Sequence, residues 1–502
     1  MARISRQGRG RRVALTAALC VTLSMTIAGV GACDATAGQA GAGVPAGAAS
    51  PAGAASPGKV ATDALTVNAS AKAVGAINGH YVGLSFESGT LNTGQFDNVG
   101  NLAQLLRNLG SSVMRFGGLT VDRPSFTGIT PSALAGLVRL AKASNWTVLY
   151  SENLGNYNAA AVTADAKAVA AALGPRLSGI ACGNEPDAFA TDSWRLSPYT
   201  AADYLQDAAA CLAAVRAGAP NAPLEGADLT GAPTWLASYA EQESGQLASV
   251  GQHIYPAGCV DNYAGESARE AAGKLLSPAT FAKEVSILKW AAADAKIAKA
   301  PLLISEANSI CSGGLAGVSN SFASALWAID FLLTAAENGV SGVNFHGGLN
   351  FVGGCFFYSP LCQVAGKRHE YAARPMYYGM LFTHLLGTGN LLPVTMTTRP
   401  RNDDVKAFAL KPATGGGLRV LMENMTYLPA NVTLSVASST RSVRVLHLTA
   451  PGLTATSGVR IQGAAIGTNG TIKPGAPTII KCSSGKCQLP ITPYTAVLVT
   501  IP

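Results

Sequence analysis

Between Tyr81 and Leu386 the chain alternates short β-branched or aromatic runs with longer stretches of helical period, and this alternation limits the fold more than any other feature. Runs suited to strands cover residues 81–87, 112–117, 147–152, 178–182, 224–228, 250–255, 302–306 and 342–346. Eight such strands with helices between them are what a closed (β/α)8 barrel requires. Two of the intervening helices, 159–173 and 201–217, are rich in alanine, with apolar positions recurring at three and four. A third, 319–338, is expected to start at a serine cap and to stop at Gly339.

Beyond residue 386 the texture changes to alternating strands at 405–410, 418–423, 432–436, 443–448 and 496–501, separated by turns rich in Gly, Pro, Asn and Thr. That pattern predicts a β-sandwich. The segment 65–77 alternates in the same way although it precedes the barrel, and it is expected to add a strand to the sandwich and so lock the two domains together. A chain of 502 residues accommodates one barrel-sized domain and a smaller companion. The expected fold is therefore α/β, a (β/α)8 TIM barrel with a C-terminal all-β sandwich domain that also takes an N-terminal strand. The expected boundaries are 1–32 for an export signal, 33–60 for a linker, 61–80 for the strand joining the sandwich, 81–386 for the barrel and 387–502 for the sandwich.

Arg3, Arg6, Arg9, Arg11 and Arg12 precede an uncharged apolar stretch from Val13 to Ala28, followed by small residues up to Ala32. This is the arrangement of a secretory signal, and its apolar run is short for a membrane span. Val30-Gly31-Ala32-Cys33 has the form of a bacterial lipoprotein cleavage box, so Cys33 is a candidate for lipidation and membrane anchoring, with simple secretion as the alternative. From Asp34 to about Gly58 the chain is Ala, Gly, Pro and Ser with almost no charge, which cannot build a core and reads as a tether. An exported protein is expected, secreted or lipid-anchored at the bacterial cell envelope. The formal charge of +8 falls to +3 once the five leader arginines are gone, and that mild excess gives no support to nucleic-acid binding. Lys367-Arg368-His369 reads as a solvated loop, with attraction of an anionic substrate as the rival reading.

Of ten cysteines, Cys20 falls in the signal and Cys33 in the lipidation box, leaving an even set for disulfides in an oxidising compartment. Cys482 and Cys487 flank Ser-Ser-Gly-Lys and suit a hairpin-closing bridge, while Cys259, Cys311, Cys355 and Cys362 fall in loops after strands and can pair among themselves. No CxxC pair or histidine-rich cluster argues for zinc. No metal or organic cofactor is implied, and a monomer is expected.

Two glutamates close short apolar runs, Glu185 in Cys182-Gly183-Asn184-Glu185-Pro186-Asp187 and Glu306 in Leu303-Ile304-Ser305-Glu306-Ala307-Asn308. In a (β/α)8 barrel the chemistry sits at the C-terminal ends of the strands, and the strand count puts Glu185 just after the fourth and Glu306 at the end of the seventh. Two carboxyls delivered to one cleft are what a retaining glycosidase uses, one as acid and then base, the other as nucleophile. The alternative for either is a surface or helix-capping carboxylate. His253 and Tyr255 share one face of the sixth strand, so both point inward or neither does.

In its motifs the chain resembles the β-glucuronidase and heparanase family of retaining glycoside hydrolases, family seventy-nine of clan A. The resemblance rests on Gly83-Leu84-Ser85-Phe86-Glu87, on Arg115-Phe116-Gly117-Gly118 followed by Asp122-Arg123, on Gly183-Asn184-Glu185-Pro186-Asp187, on Ser305-Glu306-Ala307-Asn308-Ser309 and on Asn344-Phe345-His346-Gly347-Gly348. These motifs span the barrel, and the sandwich matches in kind only. The resemblance implies Glu185 as acid/base with a raised pKa and Glu306 as the ionised nucleophile, with carboxyls ~5–5.5 Å apart. It implies that Asn184 binds the sugar 2-hydroxyl, with a loop-shaping role as the alternative. Arg115 would hold the nucleophile ionised, a structural salt bridge being the rival. Tyr255 is expected to donate to Glu306, and His253 is either a substrate contact or a satisfied structural histidine.

Glu87 and Asp122 resemble family carboxylates that bind sugar hydroxyls, and Tyr358 resembles a tyrosine that recognises the substrate carboxylate. One departure follows the nucleophile, where Ile310-Cys311-Ser312-Gly313-Gly314 puts a cysteine near a place where bacterial relatives have tyrosine. That loop supplies backbone donors, or is stapled through Cys311. The activity implied is an exo-acting β-glucuronidase that releases terminal β-linked glucuronic acid, or its 4-O-methyl form, from glycans or glycosides. The alternatives are a heparanase-like endo-enzyme on acidic glycosaminoglycans, a clan relative acting on a neutral sugar and, from another class, a non-catalytic glycan binder on a tether.

Overall fold

The computed structural model describes residues 62–350, 354–397 and 405–502. The arginine-rich leader, Cys33 and the Ala/Gly tether lie outside the described residues. Eight parallel strands form the barrel: Val82–Glu87, Val113–Gly117, Thr147–Glu152, Leu177–Cys182, Glu225–Leu229, Ser249–Ile254, Leu302–Ala307 and Val340–His346. The first pairs with the second and the eighth, pairing continues round the ring, and a single bridge between Ile180 and Leu224 joins the fourth to the fifth. Nearly every strand residue is buried, because side chains fill the barrel on one face and helices cover the other.

The helices start and stop by local chemistry where they face solvent. Ala159–Leu173 is capped by Asn158, whose side chain accepts from the Ala161 N–H at 3.0 Å, and Gly174 ends it at a φ of 54°. Ala201–Gly218 begins with a reciprocal capping box between Thr200 and Asp203. The third expected helix runs instead from Phe322 to Glu337, and its serine cap is not there. Ser321 makes no side-chain bond to the helix amides, and the N–H groups of Phe322 and Ala323 donate to the Ala455 and Leu453 carbonyls at 2.9 Å. A loop of the C-terminal domain caps this helix, which is buried over almost its whole circumference.

The C-terminal strands form one continuous curled sheet around a core that includes Leu65, Val420, Val432, Val445 and Val499. Thr62–Val67 is inserted between Val394–Thr397, antiparallel, and Ala430–Ser435, parallel. Gly75–Ile77 adds a second strand at the far end, against Gly389–Leu392. The sheet thus takes the N-terminal segment as two short strands rather than one. Gly75 also lies against the barrel, where a Cβ would come within 2.2 Å of the Ala336 carbonyl oxygen.

Among the described residues there are four disulfides: Cys182–Cys211, Cys259–Cys311, Cys355–Cys362 and Cys482–Cys487. The last closes the hairpin anticipated for it, with its two cysteines directly paired across the strands. Cys259–Cys311 ties the loop after strand six to the loop after strand seven, and Cys355–Cys362 closes the loop after strand eight. Disulfides of this number fit an oxidising compartment. Among the described residues no helix is long and apolar enough to cross a membrane.

Candidate active site

The C-terminal ends of the barrel strands open into a cleft of about 900 Å³ lined by Glu87, Asn184, Glu185, Tyr255, Glu306, His346 and Tyr358 among others. Glu306 is the last residue but one of strand seven. Its Oε2 accepts from Arg115 Nη1 at 2.7 Å and stands 3.3 Å from His346 Nδ1, and its Oε1 accepts from the Tyr255 hydroxyl at 2.7 Å. Glu185 follows strand four in the left-handed region, φ 54°, and its N–H donates to the Asp228 carbonyl at 2.8 Å. His253 Nδ1 lies 2.9 Å from Glu185 Oε1. A Glu185 oxygen, a His253 nitrogen and a Glu306 oxygen all fall within 4.8 Å of one another.

The two carboxyls are pushed in opposite directions. Burial raises the Glu185 pKa, and the nearby charge of Glu306 adds to this, while His253 opposes it. Burial also works against the charge of Glu306, but His346, His253, Arg115 and the Tyr255 hydrogen bond outweigh it and hold that carboxyl down at about 2. Burial would lower His253, yet the negative field of Glu306, the Asp228 carboxylate 3.5 Å from Nε2 and the contact with Glu185 raise it to about 10. Glu185, His253 and Glu306 form the three-donor set that a metal would find here. The set suits a cation poorly, because the Arg115 guanidinium already occupies Glu306 and the raised pKa of His253 works against the unprotonated ring nitrogen that ligation needs.

Arg115, on strand two, is fully buried and contacts four groups: Ser85 Oγ and Glu306 through Nη1, and Asn184 Oδ1 and Asp228 Oδ2 through Nη2, at 2.7 to 3.0 Å. Asn184 also accepts from the Gly118 N–H at 3.0 Å, which leaves its NH2 group, on the cleft wall, without a hydrogen-bond partner among the described residues. Glu87 accepts from the Thr120 N–H and hydroxyl through Oε2, and its Oε1 stands 3.6 Å from His346 Nε2. Tyr358 lines the cleft with its ring centroid 6.2 Å from that of Tyr255.

Asp122, expected at the sugar, is not among the residues that line the cleft. Its Oδ1 accepts from the Leu154 and Gly155 N–H groups at 2.9 and 2.7 Å, and its Oδ2 from the Asn184 N–H at 2.9 Å. Asp122 is only 1% exposed and braces the loop that carries Asn184 and Glu185. Tyr255 lies one residue past strand six, whose last residue is Ile254, yet it reaches Glu306 from the cleft wall while His253 reaches Glu185 from the buried side.

Three contributors went unassigned in the sequence. His346, inside a quoted motif, ends strand eight and reaches both Glu306 and Glu87. Asp228, near the end of strand five, contacts Arg115, and Ser305 donates to it. Ser85 bridges Arg115 and His346 from strand one. Position at the C-terminal end of a barrel strand is the signal that marks His346 and Asp228.

No protein-family model matches the chain. A β-glucuronidase of Neurospora crassa is 34% identical over 79 residues, which cover 16% of this chain and 13% of that protein. One of Aspergillus niger is 29% identical over 100 residues, 20% of this chain and 18% of that protein. The matched stretches therefore span less than a fifth of either relative. Among solved structures, a 4-O-α-L-rhamnosyl-β-D-glucuronidase of Fusarium oxysporum in its Rha-GlcA complex superposes with a TM-score of 0.70 at 21% identity, covering 87% of this chain and 100% of that one. A family 51 arabinofuranosidase of Xanthomonas axonopodis pv. citri gives 0.64 at 12% identity, covering 88% of this chain and 100% of that one. Likeness at such identities is a likeness of fold, a barrel carrying a β-domain. Fold and local sequence thus agree with the kinship that the motifs imply, to the β-glucuronidase and heparanase family of barrel glycoside hydrolases.

Proposed function

We propose that the chain is an exported retaining β-glucuronidase. The observation that carries the reading is the pair Glu185 and Glu306, with oxygens within 4.8 Å of each other and pKa values driven apart by their surroundings. A retaining pair stands ~5–5.5 Å apart, whereas an inverting pair needs ~6.5–9.5 Å to admit a water. Glu185 protonates the glycosidic oxygen while Glu306 attacks the anomeric carbon, and water then resolves the glycosyl-enzyme with Glu185 as base. The Asn184 NH2 group faces the sugar 2-hydroxyl, and Glu87 takes hydroxyls at the far side of the ring.

Selectivity for a carboxylate is supported by the loop after strand seven. Ser312, Gly313 and Gly314 all have positive φ, and the N–H groups of Ser312 and Gly313 make no hydrogen bond among the described residues. With the Tyr358 hydroxyl they form a set of donors suited to a uronic acid. The same loop meets the one after strand eight, where the Tyr358 N–H donates to the Gly313 carbonyl at 3.3 Å, and each loop is held by a disulfide. That wall beside Glu306 favours release of terminal glucuronic acid, or its 4-O-methyl form, over cleavage within a chain. Export by the arginine-rich leader, with Cys33 as the lipid-bearing residue, belongs to the same proposal.

The test is hydrolysis of an aryl β-glucuronide beside the matching glucoside and galactoside. Only the glucuronide should turn over, and Glu306→Gln should lower kcat by roughly 10⁴-fold or more with an unchanged circular dichroism spectrum. Cleavage confined to a neutral glycoside would overturn the reading.

A further inference from the structure

The groups beneath the two glutamates converge on one residue that does not line the cleft. Asp228 is fully buried in strand five with a φ of 58°, a left-handed conformation that a residue other than glycine holds only where its surroundings enforce it. Its Oδ2 accepts from Arg115 Nη2 at 3.0 Å, and Arg115 Nη1 grips Glu306. Its Oδ1 accepts from the Ser305 hydroxyl and stands 3.5 Å from His253 Nε2, while His253 Nδ1 meets Glu185 at 2.9 Å. Its carbonyl holds the Glu185 N–H. The backbone also makes room for it, since a Cβ on Gly251 would come within 2.3 Å of Asp228 Oδ1.

We propose that Asp228 is a positioning residue that fixes the ring state of His253, so that the Glu185–His253 pair retains the proton delivered to the leaving group. This deepens the β-glucuronidase reading and rests on it. The Asp228 carboxylate, 3.5 Å from Nε2 and beyond a hydrogen bond, favours a proton on that nitrogen by its charge, so a neutral His253 presents its Nδ1 lone pair to Glu185. One proton is then shared across the Nδ1···Oε1 contact, on Glu185 as acid or on His253 as imidazolium, and the pair passes it to the departing oxygen. An aspartate orienting a histidine that exchanges a proton with the reacting group is the logic of a hydrolase triad, here applied to a carboxylic acid.

The charged groups facing His253 are Glu185 after strand four, Asp228 and Glu225 on strand five, Glu306 on strand seven and Arg115 on strand two. Asp187 also faces Glu185. Glu225 is buried, and its own burial and the proximity of Asp228 raise its pKa, so it leaves Asp228 as the anion at Nε2.

Asp228→Asn removes a negative charge next to the shared proton. The alkaline limb of kcat/KM on an aryl β-glucuronide should move to lower pH by on the order of one unit or more, while the acid limb, set by Glu306, does not rise. A variant that loses rate with its alkaline limb in place would assign Asp228 a structural role only and overturn the proposal. Should the variant not fold, ¹⁵N-histidine NMR of the unaltered protein decides the matter. His253 Nε2 should carry a proton throughout the neutral range, and an unprotonated Nε2 would overturn the proposal. The NMR result does not depend on which glycoside is cleaved, so it separates failure here from failure of the proposed activity.

Discussion

Glu306 keeps its charge inside the barrel because every side that burial strips of water is supplied with a proton or a cation. Arg115, His346 and the Tyr255 hydroxyl each stand within 3.3 Å of one of its oxygens. Of these, Tyr255 can be removed with little collateral change, since Tyr255→Phe deletes the hydroxyl that donates to Glu306 and keeps the ring packed beside Tyr358. A hydrogen bond to a charged group contributes about 1.5–3 kcal/mol, so kcat/KM should fall by roughly one to two orders of magnitude. The sign of the pH effect follows from the bond, which favours the carboxylate. Its loss raises the Glu306 pKa, and the acid limb of the rate profile moves toward neutral pH. An acid limb that stays in place in Tyr255→Phe would remove Tyr255 from the control of the nucleophile's charge.

At the scale of elements, the N-terminal strand Thr62–Val67 contributes a fully buried Leu65 to the C-terminal core between two strands that follow it by more than three hundred residues. Leu65→Ala should cost about 2–5 kcal/mol, read as a lower urea midpoint, and an unchanged midpoint would make the strand dispensable. This strand and all eight barrel strands were legible in the sequence, because burial on one or both faces writes a local pattern of apolar residues. What pattern does not carry is partnership. The cap of helix Phe322–Glu337 comes from the Leu453 and Ala455 carbonyls, so the serine at 319 misled a reading confined to neighbours. The contacts of Asp122 are equally out of reach of local pattern, as its three N–H donors come from Leu154, Gly155 and Asn184. Glu185 and Glu306 stood out because each sits in its motif at a strand end. Asp228 did not, since its importance lies in contacts with Arg115, His253 and Ser305 from three other strands.

At the scale of the molecule, barrel and sandwich meet across buried acids. Glu284 on helix Pro278–Ala298, Asp330 on helix Phe322–Glu337 and Glu423 on strand Leu418–Asn424 are all inaccessible to solvent. The cation that the described residues place among them is Lys406, which is paired with Glu423 in strand register and has its Nζ 2.7 Å from Asp330 and 3.3 Å over the Phe281 ring. One ammonium cannot neutralise three carboxylates, and neither oxygen of Glu423 has a hydrogen-bond partner among the described residues. Burial, and then the charge of Asp330, raise the Glu423 pKa well above its ordinary value, with Lys406 opposing. A carboxyl raised in the folded state holds its proton more tightly than in the unfolded chain. Its contribution to stability is therefore complete at acid pH and is lost as pH rises through the folded pKa. Glu423→Gln keeps the shape and removes the titration, so it should stabilise the protein against urea, with a larger gain at pH 8 than at pH 5. Equal gains at the two pH values would mean that Glu423 does not couple the joint between the domains to protons.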